Sequence, residues 1–309
     1  MNFNRRKFLQ STGALALSSA VLSGKAASLF KVIKHPVGVQ LFTFFNVIDD
    51  DVKGTLTSVA GDGYSEIESA FSKKGGYYGL KPKAFKALAN DAGLSWKSHH
   101  VLGAPFKLPA GAKMPTMPDG KPMVIPPMLN LQDNMQQLVD EAAEGGVRYL
   151  VCANSPTGTA AELKSTIAVL NKTGEAASKA GLIFAYHNHD MEFKALDDGT
   201  VPYDLLLSET APAHVKMELD LAWAIKGGKD PVEMFKQHPG RFPLWHVKDL
   251  DASRENILPV GSGTIDFKPI FAAASTAGMR SFFVEHDMPK DAFASIHSSI
   301  QYINKNLNV

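Results

Sequence analysis

Cysteine is nearly absent from this 309-residue chain: Cys152 stands alone, which excludes an intrachain disulfide framework and a cysteine-rich zinc site. It lies inside the apolar run Tyr149-Leu150-Val151-Cys152-Ala153, where a buried small hydrophobe is expected. An excess of charge of one sign is also lacking. The formal net charge is +1 and no basic stripe is visible, so no nucleic-acid partner held through its phosphates is expected. Missing too is a Gly-x-Gly-x-x-Gly turn after the first apolar strand, which counts against a doubly wound dinucleotide-binding sheet. What is present is ordinary for a globular protein: 45% hydrophobic and 20% charged residues, in a chain long enough to bury a large α/β core.

The first 27 residues read as an address rather than a fold element. Asn4-Arg5-Arg6-Lys7-Phe8-Leu9-Gln10 resembles a twin-arginine export motif; a modest apolar segment over 13–22 and small residues over 23–27 follow it. This order predicts a cleavable signal over 1–27, a fold over 34–309, the twin-arginine export machinery as a partner, and a periplasmic or otherwise exported product. The bland alternative is a basic N-terminal arm. The apolar segment is too short to span a bilayer comfortably and no cysteine follows it, so no stable membrane anchor is expected.

From residue 37 onward, β-favouring runs alternate with helical patterns. Strands are predicted over 37–43, 64–68, 95–101, 147–153, 182–189, 215–220, 244–249 and 281–285. Helices are expected between them, with one running from the loop at 261–267 to residue 277 and the last over 291–306. Eight such alternations predict a parallel (β/α)8 TIM barrel in a single domain. The Pro- and Met-rich stretch 103–127 follows the third strand and is predicted to be a partial lid over the barrel mouth.

The strand ends are where the chemistry gathers. Leu182-Ile183-Phe184-Ala185-Tyr186-His187-Asn188-His189 begins apolar and ends in two imidazoles, which share a face while the strand lasts. Other strands end in Glu68, in His99 and His100, in Glu218 and Asp220, in His246, Lys248 and Asp249, and in Glu285 before His286 and Asp287. On a barrel these ends face one mouth. One buried polar end has a structural explanation; five together imply a ligand, because unpaired buried charge is expensive. Imidazoles with carboxylates and no thiolates suit one divalent ion, Mn²⁺ first and Zn²⁺, Co²⁺ or Mg²⁺ as alternatives.

Here the chain resembles the xylose-isomerase-like TIM barrel superfamily of sugar and sugar-phosphate isomerases and epimerases. The motifs that carry the resemblance are Tyr186-His187-Asn188-His189 with Glu192-Phe193, Glu218-Leu219-Asp220-x-x-Trp223, His246-Val247-Lys248-Asp249, Gly261-Ser262-Gly263 with Asp266-Phe267, and Glu285. The resemblance implies a metal held by side chains at the ends of strands five to eight, commonly glutamate, aspartate, histidine and glutamate. Asp220, His246 and Glu285 match the last three; the first position falls on His187, with His189 as the alternative occupant. It implies proton abstraction beside a carbonyl or hydroxyl of a sugar or sugar derivative.

Catalytic roles are assigned to Glu285, His187 and Lys248, the last placed beside a developing enolate oxygen or in a salt bridge to Asp249 or Glu218. Substrate contacts are assigned to Glu68, His100, His189, Trp223 and Lys248, and Glu192 is expected to orient His187 or His189. Histidine in place of one glutamate removes one of two proton shuttles, so β-elimination from a keto-sugar or keto-glycoside is the runner-up. A DNA-cleaving relative is disfavoured by the near-neutral charge, and a non-catalytic sugar-binding barrel is the further alternative.

Overall fold

Inward-facing side chains decide where this chain can hold a site, and the strand order settles which residues those are. The computed structural model describes residues 35–106 and 128–307; the signal expected over 1–27 and nearly all of the lid expected over 103–127 lie outside them. Eight parallel strands close into a barrel: β1 (Val37–Gln40), β2 (Glu66–Ser69), β3 (Ser95–Leu102), β4 (Tyr149–Asn154), β5 (Ile183–His187), β6 (Val215–Asp220), β7 (Leu244–Val247) and β8 (Ser281–Val284), with β8 pairing back onto β1. Helices connect successive strands outside the barrel, as the (β/α)8 reading requires.

Helix starts follow side-chain chemistry. Asp51, Asn130, Thr159, Asp230, Asp266 and Asp291 each accept a backbone N–H of the first turn that follows them. Two separate apolar zones then hold the fold. The larger lies between barrel and helices and includes Trp96, Phe184, Trp245 and Phe282. The smaller fills the barrel interior with Tyr149, Val151, Ala185, Leu244 and Phe283. Gly38 faces this plug: a Cβ there would come 2.5 Å from Cδ1 of Phe283, so only glycine leaves room for that ring. Since side chains repeat on one face every second residue, the residues two places after Ala185, Leu244 and Phe283 also point inward, one layer higher. They are His187, His246 and Glu285.

Several boundaries differ from the sequence pattern. The first strand ends at Gln40, not at 43, because the Gln40 side chain accepts the Phe42 N–H at 3.0 Å and starts the 3-10 turn Leu41–Phe44. The second strand is shifted to Glu66–Ser69. The fifth stops at His187, before His189. The seventh stops at Val247, and Asp249 belongs to a small antiparallel hairpin, Asp249–Leu250 with Ile257–Leu258. The helix expected to reach residue 277 is divided into Phe267–Ala272 and Ala274–Ala277. A helix the pattern did not reveal, Leu221–Lys226, follows β6 directly, capped by Asp220.

Candidate active site

The polar layer above the barrel plug is built by strand register. Asp220 pairs with His246 across β6 and β7, and Glu218 pairs with His187 across β5 and β6. Asp220, His246 and Glu285 bring ligand-type atoms within 4.8 Å of one another, and so do His100, His187, Glu218 and His246. His246 belongs to both groups. All six side chains are buried.

Asp220 shows how local structure aims a functional atom. Its Oδ1 accepts the Trp223 N–H at 2.9 Å, which caps the following helix and fixes the carboxylate. Its Oδ2 accepts no hydrogen bond among the described residues; Lys248 Nζ, 3.0 Å away, pairs with it outside hydrogen-bond geometry. The Asn188 amide extends the β5–β6 ladder by one rung, accepting the Asp220 N–H at 3.0 Å through Oδ1. Asn188 is thus a positioning residue, with a role that its place in the Tyr186–His189 motif did not reveal.

His187 is held by a carboxylate on one nitrogen, and His246 by a carboxylate on each. The Nδ1 of His187 lies 3.1 Å from Glu218 Oε2, leaving Nε2 toward Asp220 Oδ2 at 4.0 Å. The Nε2 of His246 lies 2.6 Å from Glu68 Oε1, and its Nδ1 lies 2.7 Å from Glu285 Oε2. Carboxylates behind histidines in this way set ring orientation and tautomer at metal sites.

Burial, first, and the positive charge of the neighbouring imidazoles keep His187 well below the ordinary histidine pKa, so its lone pair is available. Burial would lower His246 as well, but the charges of Glu218 and Glu285 outweigh it and push the ring well above its ordinary value. His100 rises in the same way to about 9: Glu68 and Glu218 overcome the burial that opposes them. For Glu218, burial dominates, joined by repulsion from Glu68, and lifts it to about 7. Burial opposes the ionisation of Glu285, yet Lys248 and His246 keep it well below the usual carboxylate range.

Five carboxylates, Glu68, Glu218, Asp220, Glu285 and Asp287, gather in this layer; Lys248 pairs with the last three, while Glu68, Glu218 and Glu285 draw protons onto His100 and His246. A divalent ion would take the place of those protons. Asp220 Oδ2, which accepts no hydrogen bond among the described residues, and the oxygen–imidazole donor set fit such an ion.

The remaining assignments separate by depth. His100, His187, His189, Lys248, Glu285 and Asp287 line a cavity of about 380 Å³ at the mouth. Glu68, assigned above to substrate, lies below it: its carboxylate is taken by Gln40, Ser98, His100 and His246. Trp223 packs its ring 5.2 Å from Lys248 Nζ, so its neighbour is the ammonium. Lys248 pairs with Asp220, Glu285 and Asp287, not with Asp249 or Glu218 as the sequence suggested. Asp249 instead accepts the backbone N–H groups of Leu250, Gly261, Gly263 and Ile265, which organises the glycine loop. Glu192 accepts the Tyr186 hydroxyl at 2.8 Å and the His189 N–H at 3.1 Å, so it positions the turn at His189 rather than the His187 ring.

Comparison with known proteins agrees with this architecture. The model of the family described as xylose isomerase-like TIM barrel matches residues 58–306. An inosose dehydratase of Geobacillus thermodenitrificans is 30% identical over 149 residues, 42% of this chain and 48% of that protein. Another, from Lacticaseibacillus casei, is 25% identical over 164 residues, 45% of this chain and 53% of that one. The chain thus spans about half the length of the curated relatives it matches. A crystal structure described as a sugar phosphate isomerase/epimerase, from Parabacteroides distasonis, superposes with a TM-score of 0.71 at 27% identity, covering 94% of this chain and 99% of that one. With its motifs placed on a closed eight-stranded barrel, the chain belongs to the xylose isomerase-like TIM barrel family.

Proposed function

We propose that this protein is a divalent-metal-dependent enzyme that removes a proton beside a carbonyl or hydroxyl of a sugar or sugar derivative, in the manner of an isomerase or epimerase. The observation that carries this reading is the convergence of Asp220, His246 and Glu285 under an open cavity, with the neutral His187 turned toward Asp220. These four residues would hold the ion, Mn²⁺ above the other candidates. When bound, it supplies Lewis acidity, making an adjacent substrate hydroxyl more acidic and stabilising charge that develops on oxygen.

The chain's own groups do the rest. Glu285 stays ionised beside Lys248 and lines the cavity, so it is assigned as the base. Lys248 presents an ammonium where negative charge develops or where a departing oxygen needs a proton. His100 and His189 face the same cavity and are assigned to substrate oxygens.

A second reading, β-elimination, has a specific observation in its favour. The cavity presents Glu285 as its one glutamate among the described residues, beside Lys248 and histidines; Glu68 and Glu218 lie beneath and are engaged there. Two opposed glutamates that pass protons on both faces of a carbon are therefore absent from the lining. One base and a separate acid are what an elimination needs. The names of the curated relatives, inosose dehydratases, agree with this reading.

Proton NMR in D₂O on a panel of keto-sugars and keto-glycosides distinguishes the two. Exchange at carbon with retention of all substituents supports isomerisation or epimerisation, and release of water or an alcohol supports elimination. Full activity after exhaustive chelation would refute both.

A further inference from the structure

The barrel mouth has two unlike sides. The polar side comes from β5 to β8 and carries His187, Lys248 and Glu285. The other side is formed by the end of β3, the segments after β1, β2 and β3 and the turn after β8; it contributes Phe42, Phe45, Phe71, Leu102, Phe106 and Met288 to the same cavity, with Ser72 and Lys73 beside Phe71. Phe106 and Met288 are 48% and 53% exposed and lie on the same cavity as Phe42, Phe45 and Phe71, so the apolar surface there is contiguous rather than scattered.

This wall is held in place. Phe42 and Phe45 pack ring to ring at 5.3 Å, and Lys73 Nζ stands 5.2 Å from the Phe45 ring. The Tyr78 hydroxyl accepts the Ala70 N–H at 3.0 Å, fixing the residue before Phe71. Met288 keeps a φ of +45°, a left-handed conformation that costs a residue with a side chain on the order of 1 kcal/mol or more. Residues strained in this way cluster at active sites and ligand clamps, and Met288 lines the cavity.

The chemistry of the wall selects its occupant. Phenylalanine, leucine and methionine offer no strong hydrogen-bond partner, so sugar hydroxyls placed against them would lose water without replacement. A flat apolar group loses nothing there and gains the burial.

Resting on the sugar-directed reading above, we infer that the site takes a sugar derivative bearing an aromatic substituent, an aryl glycoside, with the sugar over Glu285 and Lys248 and the ring against Phe42, Phe45 and Phe71. The substrate class is then a glycoside rather than a free sugar.

The test compares matched phenyl and methyl glycosides of glucose, galactose and mannose, titrated calorimetrically into the full chain loaded with Mn²⁺. For at least one sugar the phenyl member binds about tenfold tighter or better, the gain expected from covering a phenyl ring on an apolar wall. Phe45→Ala and, separately, Met288→Ser reduce that ratio toward one. Equal affinity within every pair, absence of binding included, overturns the inference, as does a ratio unchanged in both variants. Deuterium exchange on free keto-sugars is scored in parallel. Exchange without a phenyl preference overturns the aryl site and leaves the reaction standing; a preference without exchange or elimination does the reverse.

Discussion

The ammonium of Lys248 and the carboxylate of Glu285 meet at 2.6 Å in the buried floor of the barrel mouth. Burial opposes a charged lysine, but Asp220, Asp287 and Glu285 reverse this and hold its pKa well above the ordinary value. Lys248 is therefore a cation built into the place where the carboxylates of β6 and β8 converge. Replacing it by Met leaves those carboxylates facing one another. Without metal, Lys248→Met should lose roughly 3 kcal/mol or more of stability, the range for breaking a buried ion pair. Mn²⁺ should recover most of that loss. Urea titrations with and without the ion measure both, and an unchanged midpoint in the metal-free variant contradicts the assignment.

Glu218 reaches three imidazoles, with Oε2 at 2.6 Å from His100, 3.1 Å from His187 and 3.3 Å from His246. As the group that turns His187 toward Asp220, it should tune the ion without touching it. Glu218→Gln is expected to weaken Mn²⁺ binding about 10- to 100-fold, the usual penalty for losing a carboxylate behind a ligating histidine. His187→Ala should weaken it at least as much. Calorimetric titration decides; unchanged affinity in both variants takes His187 out of the ligand set.

Asp249 makes the opposite prediction. It accepts four backbone N–H groups, at 2.9, 2.9, 2.9 and 3.0 Å, and is absent from the cavity lining. Asp249→Ala should cost about 3 kcal/mol or more, since four backbone donors lose one buried, charged acceptor, while Mn²⁺ affinity stays close to that of the parent. Thermal melts and metal titration on the same samples separate the two effects. A metal-binding defect without loss of stability would place Asp249 in the site instead.

His99 gives a pH dependence. Burial, then the positive charge of His100, pushes its pKa down to about 3, and its Nδ1 lies 2.8 Å from the Ser69 hydroxyl. Below about pH 6.5 the unfolded chain protonates this ring and the folded chain does not, so its contribution is complete above that pH and is lost as pH falls toward 3. One such group steepens the decline by up to about 1.4 kcal/mol per pH unit. His99→Asn should be flatter than the parent by about that amount between pH 6 and pH 4.5, measured by denaturant unfolding. Parallel slopes would show that the ring charges in the folded state.

What the sequence made legible was what repeats. Alternation in β5 to β8 put His187, Glu218, Asp220, His246, Lys248 and Glu285 on strand ends, and a barrel carries strand ends to one face. What it hid was depth and pairing. Glu68 and Glu285 look alike as strand-terminal glutamates, yet β2 sinks the first beneath His246 while the second reaches the cavity. Lys248 and Asp249 are neighbours in sequence and point to opposite faces, one to the ion cluster and the other to the glycine loop. Asn188 and the capping oxygen of Asp220 were hidden for a similar reason: both bind backbone, and backbone partners leave no trace in residue identity. The aromatic wall comes from four separate segments that only barrel closure brings together.

The most direct test of the account is anomalous diffraction from crystals soaked in Mn²⁺, collected at the manganese edge. The account predicts one strong peak at the barrel mouth, within coordination distance of Asp220, His246, Glu285 and His187. Occupied manganese elsewhere with none at this cluster, or no peak from a protein that is active without metal, would contradict it.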